Sequence, residues 1–407
     1  MSERITLKCG KIISSPSMFI HLNYPSEGQI ARKIVARYSN GSKQNGLGQI
    51  DGISVSIKDW KRISTPIFMG YLGDAPKYKL IDRTKLIFPS LYLLFTGTDA
   101  DKKALVETIR ASPKLEEALR KISLLSSRRD KIDKSIEDLY PLLDTYLIRS
   151  LIEDQIQNGA DILISPSVPI TSLKRINDQI EKASEMNRVS RILLDTVFSG
   201  YKEERDLMHV LTINPSVLKS NYLQALKETV LVNNPDHVGI RIMNLDENNT
   251  SQIWALLRFV KQLSKSIPVH VFNVREFGYV TFLYGASTMT TPIATDPYFR
   301  RGDFDEAPPR KGAYYHPIDM TNDTHEMLLD KTRSNNYRLP CHCEICEKFQ
   351  RIPRVEDANW NEFRRIHFLL VKNMEMRELR DAASHLGIAL RDKFARSQAT
   401  VWLPYLG

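Results

Sequence analysis

Short apolar segments alternate with amphipathic ones along the chain from about residue 159 to residue 291. Five segments have the length and composition of buried strands, and they lie at residues 161–164, 208–213, 238–242, 269–272 and 286–291. Four segments between them have helical periodicity, and they lie at residues 173–194, 217–231, 251–263 and 277–284. This alternation predicts βαβ units and a parallel sheet, in either a (β/α)8 barrel or a doubly wound arrangement.

The chain lacks the glycine-rich sequences that are typical of nucleotide-binding doubly wound sheets. Neither Gly-x-Gly-x-x-Gly nor a Walker-type phosphate loop occurs in its 407 residues. We therefore predict an α/β fold that is built on a TIM-type (β/α)8 barrel. Residues 65–70 are the expected first strand and residues 86–95 the second, whereas the charged, mostly helical residues 101–157 predict a helical insertion.

The same pattern divides the chain into three parts. Residues 1–63 form an N-terminal β-rich segment, in which residues 19–22 and 53–57 are strand-like and suggest a separate sheet or hairpin. Residues 64–299 form the barrel with its insertion. Residues 300–407 form a zinc-binding subdomain with C-terminal helices.

Three of the four cysteines lie within six residues, at Cys341, Cys343 and Cys346. The fourth, Cys9, is distant in sequence, so the set does not suit a disulfide framework. A dense thiol cluster is typical of a soft-ligand metal site. Zinc takes four tetrahedral nitrogen or sulfur ligands, so three cysteines require one more ligand, usually a histidine.

The fourth ligand is predicted to be His367. It lies in a segment where Trp360, Phe363 and Leu370 recur at the three- and four-residue spacing of a helix. His342, inside the cluster, is the competing ligand, and three reduced thiols beside a core histidine are the alternative to a metal site. Because all four positions would be filled by protein, the prediction is a structural Zn²⁺ with no open coordination position for catalysis.

The chain carries a formal net charge of +9 and has a sequence pI of about 9.2. Basic residues crowd the region of the cysteines, and they include Arg300, Arg301, Arg310, Lys311, Arg333, Arg338, Arg351, Arg354, Arg364 and Arg365. Aromatic residues such as Tyr298, Tyr314 and Tyr337 lie among them, a mixture that suits phosphate contacts and base stacking. We therefore expect a nucleic acid, tRNA or DNA, as the partner.

Membrane association is not expected. No apolar run approaches the roughly 20 residues that a membrane-spanning helix needs. The first residues lack the charged and then apolar layout of a secretory signal. Because a few clustered cysteines suit a reducing compartment, we expect a cytoplasmic protein.

The cysteine cluster and its helix resemble the zinc motif of the tRNA-guanine transglycosylase superfamily, which includes the queuosine and archaeosine enzymes and the 7-deazaguanine DNA transglycosylases. That motif is Cys-x-Cys-x-x-Cys followed by a histidine on a helix, which supports His367 over His342 here. Residues 64–69, 159–163 and 285–290 resemble, in order, three strand segments of the family. The resemblance implies a TIM barrel with a zinc subdomain, exchange of guanine for a 7-deazaguanine base in tRNA or DNA, and a homo- or hetero-dimer formed through the zinc region.

The family's reaction proceeds through a ribosyl-enzyme intermediate, which requires a carboxylate nucleophile and a second aspartate for acid/base work. In an ungapped alignment from Gly285, the position of the nucleophile is occupied by Thr290. The carboxylates must then come from elsewhere, and our candidates are Asp296, just beyond the last predicted barrel strand, and Asp99.

Base-binding candidates are Ser167, Asn214 and Asn273, which lie at the ends of predicted strands. Ser167 takes the position where the resemblance expects the aspartate that reads guanine. Serine and asparagine are equally common as turn and helix-cap residues, so a capping role stays open.

Two further interpretations of the whole chain also stay open. The first is a non-catalytic nucleic-acid-binding paralogue or accessory subunit. The second is an unrelated barrel with a detached zinc knot.

Overall fold

The computed structural model describes residues 4–22, 50–56, 84–89, 140–171, 173–218, 220–243, 245–246, 248–272, 274–292, 313–349, 351–352 and 358–406. Strands within these ranges are β1 (Arg4–Thr6), β2 (Ile12–Ser14), β3 (Ser17–Leu22), β4 (Ile50–Ser56), β5 (Thr84–Phe88), β6 (Ile162–Ile164), β7 (Pro169–Ile170), β8 (Asp206–Ile213), β9 (His237–Ile242), β10 (Val269–Phe272), β11 (Ala286–Pro292), β12 (Tyr314–His316) and β13 (Thr321–Asp323). Helices within them are α1 (Thr145–Gln157), α2 (Ile176–Thr196), α3 (Ser220–Leu231), α4 (Thr250–Leu263), α5 (Glu276–Leu283), α6 (His325–Thr332), α7 (Glu344–Phe349), α8 (Ala358–Asp381) and α9 (Leu386–Ala395).

Eight parallel strands close into a barrel in the order β3-β4-β5-β6-β8-β9-β10-β11. The ring closes where β11 pairs with β3, with Thr290 opposite Phe19. The short strand β7 follows a break after β6 and pairs with the second half of β8. The TIM-type barrel is therefore confirmed, as are the five strands and four helices predicted between residues 159 and 291, each within a few residues of its expected bounds.

The beginning of the barrel differs from the prediction. The strand-like segments near residues 19 and 53 are not a separate sheet, because β3 and β4 are neighbouring parallel barrel strands. Every residue of β3 is buried, as expected for a strand that is covered on both faces. The barrel therefore begins before residue 64, within the range assigned to the N-terminal segment.

The remaining predictions for the first half are only partly covered by the described residues. The second predicted strand corresponds to β5, and residues 65–70 and 90–95 lie outside the described residues. Most of the predicted insertion, residues 101–139, also lies outside them. Its last part is helix α1, which begins at the N-cap Asp144 and packs on β6 and α2, so residues 145–157 are a helix of the barrel itself.

Large side chains fill the barrel interior, and two glycines make room for them. Phe19, Phe88, Phe272 and other apolar residues form an inner cluster that is separate from the core between the sheet and the helices. A Cβ at position 52 would lie 2.7 Å from the ring of Phe19, and one at position 239 would lie 2.5 Å from the ring of Phe272. Gly52 and Gly239 therefore let two aromatic rings lie across neighbouring strands.

The β1–β2 hairpin covers the amino-terminal end of the barrel. Its apolar residues Leu7 and Ile13 join the inner cluster. The backbone N–H of Lys8 donates to Asp206 at the start of β8 (3.0 Å), and Lys11 Nζ donates to Asp161 just before β6 (2.7 Å). Because this end is covered, the carboxyl-terminal end, where barrel chemistry is generally found, is the end at which to look for a ligand site.

One histidine of the outer core makes the stability sensitive to acid. His209 on β8 is fully buried, and its Nδ1 donates to the carbonyl of Val230 (3.1 Å). Burial lowers its pKa from 6.5 to about 4. Since the unfolded chain takes up the proton more readily, the contribution of His209 is complete above pH 6.5 and is lost as the pH falls from 6.5 towards 4.

We expect the wild type to lose roughly 3 kcal/mol more unfolding free energy than His209→Asn over this pH range. An asparagine amide keeps a donor for the Val230 carbonyl and does not titrate. Urea unfolding of both proteins at pH 7, 5.5 and 4.5 measures the difference, and acid effects on all other groups cancel between the two. Parallel pH profiles would contradict the assignment.

Among the described residues, no helix is both long enough and apolar enough to cross a membrane.

Candidate functional site

Cys341, Cys343, Cys346 and His367 come together in the folded chain. Their Sγ and nitrogen ligand atoms all lie within 4.8 Å of one another, and all four residues are buried. The Cys343 and Cys346 sulfurs lie 3.3 and 3.2 Å from His367 Nδ1. The chain therefore has a buried Cys₃His group that could bind a metal ion, as its sequence predicted.

Local structure explains the spacing of the cysteines. Cys343 immediately precedes helix α7, and its carbonyl accepts a hydrogen bond from the backbone N–H of Glu347. Cys346, three residues later, lies on the same face of that first turn. Cys341 folds back from the loop, so that its sulfur accepts a hydrogen bond from the backbone N–H of Cys343 (3.3 Å).

The orientation of His367 is set by the strand beside it. Its Nε2 lies 2.7 Å from the backbone carbonyl of Tyr315. A carbonyl can only accept, so Nε2 carries the proton and the Nδ1 lone pair faces the three sulfurs. The Tyr314 ring stacks on the imidazole with 4.1 Å between centroids. Metal-binding histidines are commonly oriented by such a bond from the second ring nitrogen.

The pKa values of the clustered thiols are shifted in opposite directions. Hydrogen bonds from Cys343 and Cys346 hold the pKa of Cys341 well below its usual value. The same contact with Cys341 raises the pKa of Cys346. Three buried sulfur atoms beside an imidazole nitrogen are a donor set that suits a soft or borderline cation.

His342, the competing ligand, is exposed and lies outside the group of ligand atoms. A second set of potential ligands, His316, Asp319 and Asp323, lies near β12 and β13. There, Lys331 Nζ lies 2.8 Å from Asp319 and 2.9 Å from Asp323. Its ammonium group already pairs with both carboxylates, so we assign a structural role to this cluster.

The cysteine-bearing module is docked on the barrel through a buried polar cluster centred on Glu375 of α8. The carboxylate accepts hydrogen bonds from Tyr279 on α5 (2.6 Å), from Tyr315 on β12 (3.0 Å) and from Lys372 (2.9 Å). Burial alone would raise the pKa of Glu375, but the charges of Lys372 and Lys393 lower it to about 2. Tyr315 thus connects the carbonyl that orients His367 to Glu375, which in turn bonds to Tyr279 on the barrel helix α5.

A second contact fixes the far end of α8. Arg380 Nη2 lies 2.7 Å from the carboxylate of Asp51, the second residue of β4. Arg380 Nε donates to the backbone carbonyl of Pro16. Asp51 also accepts from Ser17 Oγ at the start of β3 (2.8 Å). The knot is therefore not detached from the barrel, in contrast to the expectation for an unrelated barrel with a separate zinc knot.

The structure describes two of the three predicted base-binding residues, Ser167 and Asn214. Asn214 Oδ1 accepts from the backbone N–H of Ser216 (3.0 Å), so its side chain caps a 3₁₀ turn. Ser167 is buried, and its hydroxyl makes a 3.2 Å contact with the neighbouring Val168 carbonyl. Asn273 and both catalytic candidates, Asp99 and Asp296, lie outside the described residues.

The strands' inward-facing positions contain a hydrogen-bonded series that the sequence did not reveal. His270 lies between Thr288 Oγ1 (2.7 Å) and His237 Nδ1 (3.1 Å), and His237 Nε2 lies 3.9 Å from Asp206. Burial lowers the pKa of His270 well below 6.5, which keeps it neutral. The series ends at Asp206 under the hairpin, at the amino-terminal end, so it lies away from the end where a ligand would enter.

Sequence reasoning also missed Arg241, which is almost completely buried inside the carboxyl-terminal half of the barrel. Its Cζ lies 4.5 Å from the centroid of the Phe88 ring. The sequence did contain a signal for this position. Arg241 is the one arginine in the otherwise largely apolar strand β9, and it lies two residues after Gly239 on the same face of that strand. Among the inward-facing residues of the described strands, Asp206 is the only carboxylate, and it lies at the other end.

No family model matches the chain, and no curated protein matches it significantly.

Proposed function

We propose that the protein is a divergent base-exchanging transglycosylase that replaces guanine with a 7-deazaguanine base in tRNA or DNA. The observation that supports this proposal most is the union of a closed parallel barrel with a Cys₃His group whose histidine lies on a helix docked against that barrel. The resemblance of the zinc motif implies this combination. The net charge of +9 suits a polyanionic substrate.

We propose zinc as the metal of the Cys₃His group. In a tetrahedral site with zinc–sulfur bonds of ~2.3 Å and zinc–nitrogen bonds of ~2.05 Å, sulfur and nitrogen lie about 3.6 Å apart. The two shortest separations here, 3.2 and 3.3 Å, need only a small expansion. Four protein ligands leave no position for substrate, so the metal would stabilise the module and take no part in the reaction.

For the chemistry, we propose Asp296 and Asp99 as the carboxylates. Asp296 follows the last residue of β11 by four residues, and Asp99 follows the end of β5 by eleven. In the proposed reaction, one carboxylate attacks the anomeric carbon as guanine leaves, and the other protonates the departing base. The incoming base then displaces the carboxylate and loses its proton to the second aspartate.

One observation favours a second candidate, a non-catalytic nucleic-acid-binding paralogue or accessory subunit. The position that the resemblance assigns to the nucleophile is Thr290, a neutral hydroxyl. At the carboxyl-terminal end, the inward-facing residues of the described strands include Arg241 and hydroxyl residues but no carboxylate. Such a barrel could hold nucleic acid without exchanging a base.

Incorporation of labelled guanine or 7-deazaguanine into bulk tRNA, and separately into duplex DNA, tests the proposal. We expect wild-type incorporation into one polymer and a loss of about a hundredfold or more in Asp99→Asn or Asp296→Asn. Asp330→Asn, a change at an exposed carboxylate of α6, is the matched control and should keep full activity. Absence of incorporation into either polymer, with salt-sensitive binding intact, would favour the accessory subunit.

A further inference from the structure

The carboxyl-terminal half of the barrel interior contains a buried cation on an aromatic surface. Arg241 is 1% exposed, and in the sheet it lies opposite Thr212 on one side and Phe272 on the other. Its guanidinium lies over the ring of Phe88, which in turn meets the ring of Phe272 edge-on at 4.7 Å. A guanidinium remains charged at every physiological pH and offers only donors.

Thr290 adds a hydroxyl at the same level of the barrel. It lies opposite Phe272 on β10 and Phe19 on β3, and it is 1% exposed. Among the residues that the structure describes, its Oγ1 has no hydrogen-bond partner. A buried hydroxyl without a partner costs free energy, so such a group in a native fold calls for an explanation. A ligand that accepts its proton supplies one.

A histidine and a serine lie beside the same aromatic surface. His21 at the end of β3 makes a 2.9 Å hydrogen bond through Nδ1 to Ser54 Oγ on β4 and lies edge-on to Phe88 at 6.1 Å. With a guanidinium and hydroxyls around an aromatic ring, this wall complements a group that only accepts hydrogen bonds. Oxyanions have that property, and their charge also matches Arg241.

The depth of the site limits what can reach it. The interior of a TIM-type barrel is packed with side chains, as it is here, so a ligand can bind only at its carboxyl-terminal face. A polymer backbone therefore cannot lie beside Arg241, but a free small molecule can, and so can a single nucleotide that has been flipped out of its strand.

We propose that the carboxyl-terminal end of the barrel interior binds the oxyanion of a small ligand, a carboxylate or a phosphate, with Arg241 as the charged donor, Thr290 as the second donor and Phe88 as the stacking surface. The identity of that ligand as an incoming base or a flipped-out nucleotide rests on the proposed function. The oxyanion site itself does not.

Calorimetric titration of the 407-residue, zinc-loaded protein with two matched pairs of probes tests this site. One pair is 7-carboxy-7-deazaguanine and uncharged 7-deazaguanine, and the other is guanosine 5′-monophosphate and guanosine. We expect the anionic member of one pair to bind at least about tenfold more tightly than its neutral partner, since hydrogen bonds to charged groups are the strong ones. The pair that shows the preference identifies the source of the oxyanion.

Two variants separate binding from folding. Arg241→Gln should abolish the preference for the anion. Thr290→Val, which is nearly isosteric, should weaken anion binding about threefold to tenfold while leaving thermal stability unchanged or slightly raised, because the hydroxyl has no partner to lose within the described ranges. Thr290→Val keeps the test decisive if Arg241→Gln fails to fold.

Absence of an anion preference in both pairs, or wild-type anion affinity in Thr290→Val, would overturn the inference. These outcomes are distinguishable from failure of the proposed function. Incorporation of a neutral base without any anion preference overturns the oxyanion site alone. An anion preference without incorporation into either polymer overturns base exchange alone.

Discussion

Replacing Cys341 with serine is expected to abolish stoichiometric metal binding and to lower the midpoint of thermal unfolding by about 10 °C or more. Structural zinc sites contribute roughly 10–16 kcal/mol of apparent binding free energy, and this energy also holds the folded module together. Here the loss would extend beyond the loop that carries the cysteines, because His367 lies on α8 and α8 is docked on the barrel. Metal content per chain and differential scanning calorimetry measure the two effects.

The cysteine motif provides its own matched control. His342→Ala changes an exposed residue between two of the ligands, so it should keep one metal ion per chain and the wild-type midpoint. His367→Ala should behave like Cys341→Ser. A Cys341→Ser protein with stoichiometric metal and unchanged thermal stability would refute the metal site.

Replacing Lys372 with methionine is expected to lower the free energy of unfolding by about 3–5 kcal/mol. Lys372 and Glu375 are both 3% or less exposed, and 2.9 Å separates Nζ from the carboxylate. Removing the lysine leaves a buried carboxylate with only two tyrosine hydroxyls and the more distant Lys393 to stabilise it. Urea unfolding at pH 7, monitored by tryptophan fluorescence, measures the change.

The double variant Lys372→Met/Glu375→Leu distinguishes a buried charge from lost packing. If the cost of the single change comes from the uncompensated carboxylate, removing that carboxylate as well should restore a large part of the stability. Asp381→Asn is the control, because its pairing with Arg377 is largely exposed and should contribute nothing measurable. A cost below about 1 kcal/mol for Lys372→Met would mean that Lys372 does not stabilise the docked helix.

The alternating strands and helices of the barrel could be predicted from the sequence because each of them is encoded by a local pattern of apolar residues. A strand covered on both faces, such as β9 or β10, needs an apolar run, and an outer helix such as α4 needs an apolar stripe. The metal group was accessible for a related reason. Three cysteines within six residues meet through one loop and one helical turn, and helical spacing marked the segment that carries His367.

Other features were decided only by the tertiary structure, because they depend on contacts between residues that are far apart in sequence. The assignment of β3 to the barrel depends on its pairing with β11, roughly 270 residues away, which no local pattern encodes. Alternation in β9 indicates that Arg241 shares a face with Gly239, but it does not indicate whether that face lies inside the barrel. Thus the sequence by itself determined the five strands that alternate with helices between residues 159 and 291, and which residues can ligate a metal. Closure of the ring decided which side chains are sealed inside, because the interior exists only once the first and last strands have met.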